Sequence, residues 1–253
     1  MERDMLRVEN AHKSFAGIKA VCGASLQVEK ESRVGLIGPN GAGKSTLFDL
    51  ITGFQKLDEG EIYFKGESID GLSPHEIAKR GLVRTFQISR PLSKMTVIEN
   101  MLLSPKGQKG ENLINALFGA SDIEKQEKGH RAKALKLLEF LGLNELRDEY
   151  AGNLSAGQMK LLELARALMV EPEMLLLDEP FAGVNPTLAA DLLERIIELQ
   201  KQGMTFLIVE HNMEAIMKIS ERIYVLDNGG VIAEGTPGDI KTNERVLDAY
   251  LGR

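Results

Sequence analysis

The sequence predicts an α/β fold: a core of α/β layers with an N-terminal antiparallel β subdomain, into which an α-helical subdomain is inserted. Three observations predict it. Short strand-like runs fill the first third, a mostly helical texture extends from "LSPHEIAKRG" to about residue 170, and strands and helices alternate from residue 172 onward.

The first third contains "MLRVENA", "ASLQVEK", "SRVGLIG" and "GEIYFKG", separated by turns rich in Gly, Glu and Lys. The helical block includes "HRAKALKLLEFLGL" and a polar loop, "SPKGQKGEN". The last third reads as strand "EMLLLDE", helix "TLAADLLERIIELQKQG", strand "TFLIVEH" and helix "NMEAIMKIS". It is followed by "RIYVLDNGGVIAEG", two strands around Asn228-Gly229, a strong hairpin signal. Nearly continuous apolar runs such as "MLLL" and "FLIV" suit strands covered on both faces, as in a parallel sheet. The chain therefore reads as one domain, residues 1–253, with residues 1–87 and 166–253 forming the core and residues 88–165 the inserted helices.

Composition narrows the function classes. The 253 residues are 43% hydrophobic and 27% charged, an ordinary globular balance that can bury a core. A net charge of −6 supplies no bulk attraction toward nucleic acid, so no nucleic-acid partner is expected. The single cysteine, Cys22, excludes an intrachain disulfide and leaves no Cys cluster for a metal. No run approaches the roughly 18 apolar residues of a membrane span, and "MERDMLRVEN" lacks the order of a signal peptide, so a cytoplasmic location is expected.

The sharpest motif is "GPNGAGKST", residues 38–46, which contains G-x-x-x-x-G-K-[ST] between an apolar strand and a helix bearing Leu47, Leu50, Ile51 and Phe54 on one side. Glycines are needed because backbone N–H groups must curl around phosphate oxygens where side chains would obstruct them. Gly38, Pro39, Asn40, Gly41, Ala42, Gly43, Lys44, Ser45 and Thr46 are thus the candidate nucleotide cradle, which makes the core that of a P-loop NTPase. Lys44 would reach the β- and γ-phosphates, and the Ser45 hydroxyl would bind Mg²⁺.

Hydrolysis requires further groups. Asp178 and Glu179 close the strand in "EMLLLDEP", and an α/β sheet gathers its ligands at the carboxyl ends of its strands. Asp178 is expected to bind Mg²⁺, and Glu179 to orient and deprotonate the attacking water. His211 closes a further buried strand at the same predicted edge, where it would contact the γ-phosphate or hold Glu179 and the water. His12, His75 and His130 have no such setting.

"NLSAGQMK", residues 153–160, has Ser155 and Gln158 at capping-box spacing, ahead of the helical apolar spacing Leu161, Leu162, Leu164, Ala165, Leu168 and Met169. A helix start also points bare N–H groups and a positive dipole end outward, a potential anion site.

With these residues in order, the chain resembles an ATP-binding cassette ATPase over essentially its whole length. "GPNGAGKST", "LLLDEP", Gln87 in "RTFQ", "LSAGQ" and His211 stand in that family's order. The resemblance implies that Gln87 lies in the Q-loop, serving catalysis and the metal. It also implies that Ser155, Gly157 and Gln158 cap the nucleotide held by a second cassette, identical or paralogous, in an ATP sandwich. Phe15 in "KSFAG" matches the aromatic that stacks on adenine. Two positions depart from the common pattern: Ala156 replaces a glycine, and Asn185 stands where many members carry aspartate, leaving an amide that still hydrogen-bonds.

Within the family, "GLVRTFQISRPLSKMTVIENML", "AGNLSAGQMKLLELARALM", "DEPFAGVNP" and "EHNM" most resemble the ATPase subunits of branched-chain amino acid importers. Cassettes for urea, amides or lipopolysaccharide export share much of this text, and a soluble non-transport ATPase is a further alternative. The resemblance implies a place on the inner face of the plasma membrane and integral membrane permease subunits as partners, with an external solute-binding protein that touches the permease only. Residues 87–100 are the candidate permease-facing surface, with Arg84, Arg90 and Met95 near its centre.

Overall fold

The computed structural model describes residues 4–85, 92–105 and 120–251. Two compact units divide the chain: one holds Met1–Gln87, Pro172–Ala182 and Leu193–Arg253, the other Ile88–Glu171 and Gly183–Leu192.

The first unit contains two sheets. Strands β1 (Asp4–Phe15), β2 (Ile18–Glu29), β4 (Glu59–Phe64) and β5 (Glu67–Ser68) form an antiparallel sheet in the order β2-β1-β4-β5. The second sheet has the order β10-β9-β3-β8-β7-β6, from β3 (Arg33–Ile37), β6 (Leu82–Arg84), β7 (Met174–Asp178), β8 (Thr205–Val209), β9 (Arg222–Asp227) and β10 (Gly230–Gly235). It is parallel except for the β9–β10 hairpin. Every residue of β7 and β8 is buried, in keeping with the apolar runs Met174–Leu177 and Phe206–Val209 within them. The hairpin turn is Asn228-Gly229, whose φ values of 45° and 80° are those a two-residue primed turn demands.

Helix α1 (Lys44–Ile51) supplies Leu47, Phe48, Leu50 and Ile51 to a core shared with Leu6, Val8 and Val28 of one sheet and Val34, Leu36, Leu176 and Val209 of the other. Phe48 is fully buried, a contribution of about 1.5–3 kcal/mol from its side chain alone. This packing fixes the helix whose first turn carries Lys44 and Ser45. Phe54 lies beyond the end of α1 and is exposed, so the apolar side of the helix stops at Ile51. Helix α2 (Pro74–Lys79) leads into β6. That three-residue strand joins the parallel sheet through Leu82, Val83 and Arg84 opposite Met174, Leu175 and Leu176, in a stretch whose sequence reads as the start of the helical block.

In the second unit, α3 (Val97–Leu102), α4 (Ala120–Phe140) and α5 (Ala156–Met169) pack on one another. The buried side chain of Asn100 ties down the turn ahead of α3. Its Oδ1 accepts from the Leu92 N–H at 2.9 Å, and its Nδ2 donates to the Leu92, Met95 and Thr96 carbonyls at 2.9–3.3 Å. Further α-helices among the described residues are α6 (Pro186–Lys201), α7 (Met213–Ile219), α8 (Pro237–Lys241) and α9 (Glu244–Leu251). Among the described residues, no helix is long and apolar enough to cross a membrane.

Candidate active site

Strands β3, β8 and β7 are parallel neighbours, so the residues that follow them emerge along one sheet edge. These are the loop beginning at Gly38, His211 with its preceding Glu210, and the pair Asp178-Glu179. The six-stranded sheet thus collects residues up to 173 positions apart in sequence, from Gly38 to His211.

The loop after β3 is shaped by contacts that tolerate no side chain at its ends. A Cβ on Gly38, at φ +153°, would lie 2.0 Å from the Leu226 carbonyl oxygen, and one on Gly43, at φ +100°, 2.3 Å from that of Ala20. The hairpin turn braces the middle, with the Gly229 N–H donating to the Ala42 carbonyl at 3.0 Å. Gly43 precedes α1 without a side-chain cap, leaving the N–H groups of its first turn for another acceptor. Lys44 is buried and donates from Nζ to the Gly38 and Pro39 carbonyls at 2.8 and 2.9 Å. Burial pushes its ammonium below the ordinary lysine range, while the Glu179 and then the Asp178 carboxylates pull it back. Asn40, Gly41 and Ser45 are exposed, and Pro39 and Thr46 are half-buried.

Asp178 ends β7 and is buried. Glu179, next in the chain, has φ 48°, a conformation costly for a residue with a side chain and held by its N–H donating to the Val209 carbonyl at 2.9 Å. The turn sets the Glu179 carboxylate 3.0 Å from His211 Nε2, so the two residues marked by sequence meet directly. Beneath them is a group the sequence did not mark. Glu210, buried, accepts from the Phe181 N–H at 2.8 Å through Oε1, and from the His211 and Asn212 N–H groups at 2.9 and 3.0 Å through Oε2. One carboxylate thereby ties the turn that carries Glu179 to the turn that carries His211. The only sequence signal for it is an acid next to His211 at the end of a buried strand.

Among the described residues no group of three or more His, Cys, Asp or Glu forms a protein-only metal cage. A hydroxyl at Ser45 and a buried carboxylate at Asp178 fit an ion such as Mg²⁺, which takes most of its ligands from phosphate and water. Gln87 and Arg90 lie outside the described residues. Arg84 is not on a permease-facing surface: its side chain is 11% exposed and turns inward to Asp178 and Asp49. Strand β6 has Arg84 directly opposite Leu176, two residues before Asp178, and that pairing sends the guanidinium to the acid.

Phe15 ends β1 and is 42% exposed, with Lys13 Nζ 5.5 Å from its ring centroid, so it is no core aromatic. Tyr250 on α9 was not marked by sequence either; burial pushes its phenol up, partly offset by a hydrogen bond from the Gly38 backbone.

In the second unit, Ser155 caps α5 as its spacing predicts. The Ser155 hydroxyl accepts from the Gln158 N–H at 3.3 Å, and the Gln158 side chain accepts from the Ser155 N–H at 2.9 Å. Ser155 is exposed and Gln158 half-buried. Gly157 is buried, and a Cβ there would come within 2.3 Å of Leu188 Cδ2, so its small size also serves packing against α6. Asn185 is exposed, and its Oδ1 accepts from the Leu188 N–H at 2.9 Å, capping α6.

The family model described as ABC transporter matches residues 21–182, and one described as branched-chain amino acid ATP-binding cassette transporter matches residues 231–253. A relative from Archaeoglobus fulgidus, named probable branched-chain amino acid transport ATP-binding protein LivG, is 48% identical over 98% of this chain and 95% of its own. The solved ADP conformation of MJ1267, an ATP-binding cassette of an ABC transporter, superposes with a TM-score of 0.85 at 43% identity and full coverage of both chains. A dimeric post-hydrolysis state of the ATP-binding cassette MJ0796, bound to ADP and Pi, gives a TM-score of 0.76 at 25% identity over 92% of this chain and 99% of that one. With this fold, these motifs and this likeness over the full length, the chain belongs to the ABC transporter family as an ATP-binding cassette.

Proposed function

We propose that this chain is the ATP-hydrolysing subunit of an importer for branched-chain amino acids, acting with a membrane permease at the inner face of the plasma membrane. The observation that carries the reading is the meeting of Glu179 and His211 at 3.0 Å, on the sheet edge that also presents Lys44 and Asp178. The solute is inferred from the C-terminal family match and from the names of the relatives.

In this reading the loop from Gly38 to Thr46 wraps the phosphates of ATP, Lys44 contacts the β- and γ-phosphates, and Phe15 stacks on adenine. Ser45, Asp178 and Gln87 hold Mg²⁺, whose charge, when it is bound, offsets the negative charge developing on the phosphates. Glu179 orients the attacking water and takes its proton at a carboxylate oxygen. His211 holds that carboxylate through Nε2 and contacts the γ-phosphate. Ser155, Gly157 and Gln158 of a second cassette close the site from the other side, a role that suits an exposed Ser155 at a helix start. Residues 87–100 face the permease, and an external solute-binding protein meets the permease alone.

Phosphate release by the purified chain, compared with that of Glu179→Gln, tests the chemistry. A turnover that this substitution abolishes while ATP binding persists is expected. An undiminished rate would overturn the assignment of the base.

A further inference from the structure

Arg84 departs from its sequence reading: it faces inward between two acids. Its Nη2 donates to Asp178 Oδ2 at 2.7 Å, its Nη1 pairs with Asp49 on α1, and its guanidinium carbon stands 5.4 Å from the centroid of the Phe48 ring. The side chain is 11% exposed, Asp178 3% and Asp49 35%, so the Arg84–Asp178 contact is the dry half of the pair and the Asp49 contact the wetter half. Arg84 Nε is buried and finds no partner among the described residues. A guanidinium that leaves a donor unsatisfied in order to reach two acids is placed for those acids, since an orphaned buried N–H carries a cost. A buried carboxylate needs a countercharge whether or not a metal is present.

Resting on the reading of Asp178 as the metal acid, we propose that Arg84 is a positioning residue that supplies Asp178 with its countercharge when no metal is bound and fixes one of its oxygens. The other oxygen is thereby left to face the metal or its water. Arg84 and the metal ion then compete for the same negative charge, and Asp49 sets the balance by drawing the guanidinium toward α1. The arrangement gives the empty site a stable form at the cost of some metal affinity. It also links β6, the strand three residues ahead of Gln87, to the phosphate-binding helix and to the strand that ends in Asp178.

The test is the Mg²⁺-specific part of ADP stabilisation: the melting temperature of the full chain with ADP and graded Mg²⁺, minus that with ADP and EDTA. In Arg84→Met the guanidinium's share of the countercharge is gone, and only the Lys44 ammonium and the metal remain to supply it. The Mg²⁺ concentration giving half the effect is expected to fall on the order of tenfold, with a larger increment at saturation. A role confined to holding α1 would lower the melting temperature with and without Mg²⁺ alike, and an unchanged or weakened Mg²⁺ dependence overturns the proposal. If Arg84→Met does not fold, Asp49→Asn reads the same balance in reverse. It leaves the guanidinium to Asp178 alone, so more Mg²⁺ is expected to be needed, and an unchanged or lower requirement overturns the proposal. Asp178→Asn separates the two levels. If the wild-type Mg²⁺ increment survives that substitution, the metal assignment itself fails. If it vanishes while Arg84→Met behaves as wild type, the inference about Arg84 alone fails.

Discussion

Replacing Glu210 by glutamine probes the joint beneath the candidate catalytic pair. The carboxylate accepts three backbone N–H groups, one through Oε1 and two through Oε2, from Phe181, His211 and Asn212. Glutamine offers one oxygen and one NH₂ group, so whichever way the amide turns, at least one N–H donor meets another donor. Loss of the charge weakens the bonds that remain. A hydrogen bond to a charged group contributes about 1.5–3 kcal/mol, and the orphaned N–H adds its own cost, so Glu210→Gln should destabilise the protein by about 2–4 kcal/mol. For a chain of this size that lowers the melting temperature by roughly 5–10 °C. The conformational consequence matters more. Phe181 lies two residues beyond Glu179, whose φ of 48° depends on its turn being held, and the other two donors begin at His211. A displacement on the order of 1 Å between two reacting groups can cost about a hundredfold in rate. ATP turnover is expected to fall at least tenfold, with ATP affinity close to wild type because the Gly38–Thr46 loop has no bond to Glu210. Scanning calorimetry, phosphate release and fluorescent-nucleotide titration check the three parts. A variant that is destabilised as calculated yet turns over ATP at the wild-type rate would refute the tether.

Gly38→Ala places a methyl group 2.0 Å from the Leu226 carbonyl at φ +153°, so the loop must leave its conformation. ATP binding measured by equilibrium titration should be lost, and retained micromolar binding would show the loop to be more tolerant than its contacts indicate. Phe48→Ala should cost about 3–5 kcal/mol by denaturant melting, the cost of a core aromatic, and a loss under 1 kcal/mol would mean α1 is not pinned by this residue. Glu99 should titrate below the 4.5 of an ordinary glutamate, because the Thr96 backbone N–H and then its hydroxyl stabilise the carboxylate. A depressed acid contributes stability that is complete above its unfolded value and is lost as pH falls through the folded one. Carboxyl NMR titration reads the value directly, and a midpoint at or above 4.5 would contradict the cap.

Sequence reading works best here where local rules suffice. The Ser155/Gln158 box and the Asn228-Gly229 turn are each set by a few neighbouring residues, and each has the structure its spacing predicts. Strand β6 escapes because three residues carry no period, and its identity comes from pairing with β7 some 90 positions away. Arg84 was misplaced for the same reason, since its acids lie 35 and 94 residues off along the chain. The sequence marks neither Glu210 nor Asn100, because their roles come from the backbone they bind: Glu210 holds the Phe181 N–H, 29 residues away, and Asn100 the Leu92 N–H across a turn. The short helices α8 and α9 follow the hairpin in a stretch to which sequence reading assigns no element.

The central claim is that the site is completed by a second cassette, and the solution mass of the Glu179→Gln protein by light scattering tests it most directly. With hydrolysis blocked, ATP and Mg²⁺ should double the mass, and Ser155→Arg in the same background should return it to that of a single chain. A mass that stays that of one chain while ATP remains bound, or a dimer indifferent to Ser155→Arg, would contradict the claim that the residues around Ser155 close over the nucleotide of another copy.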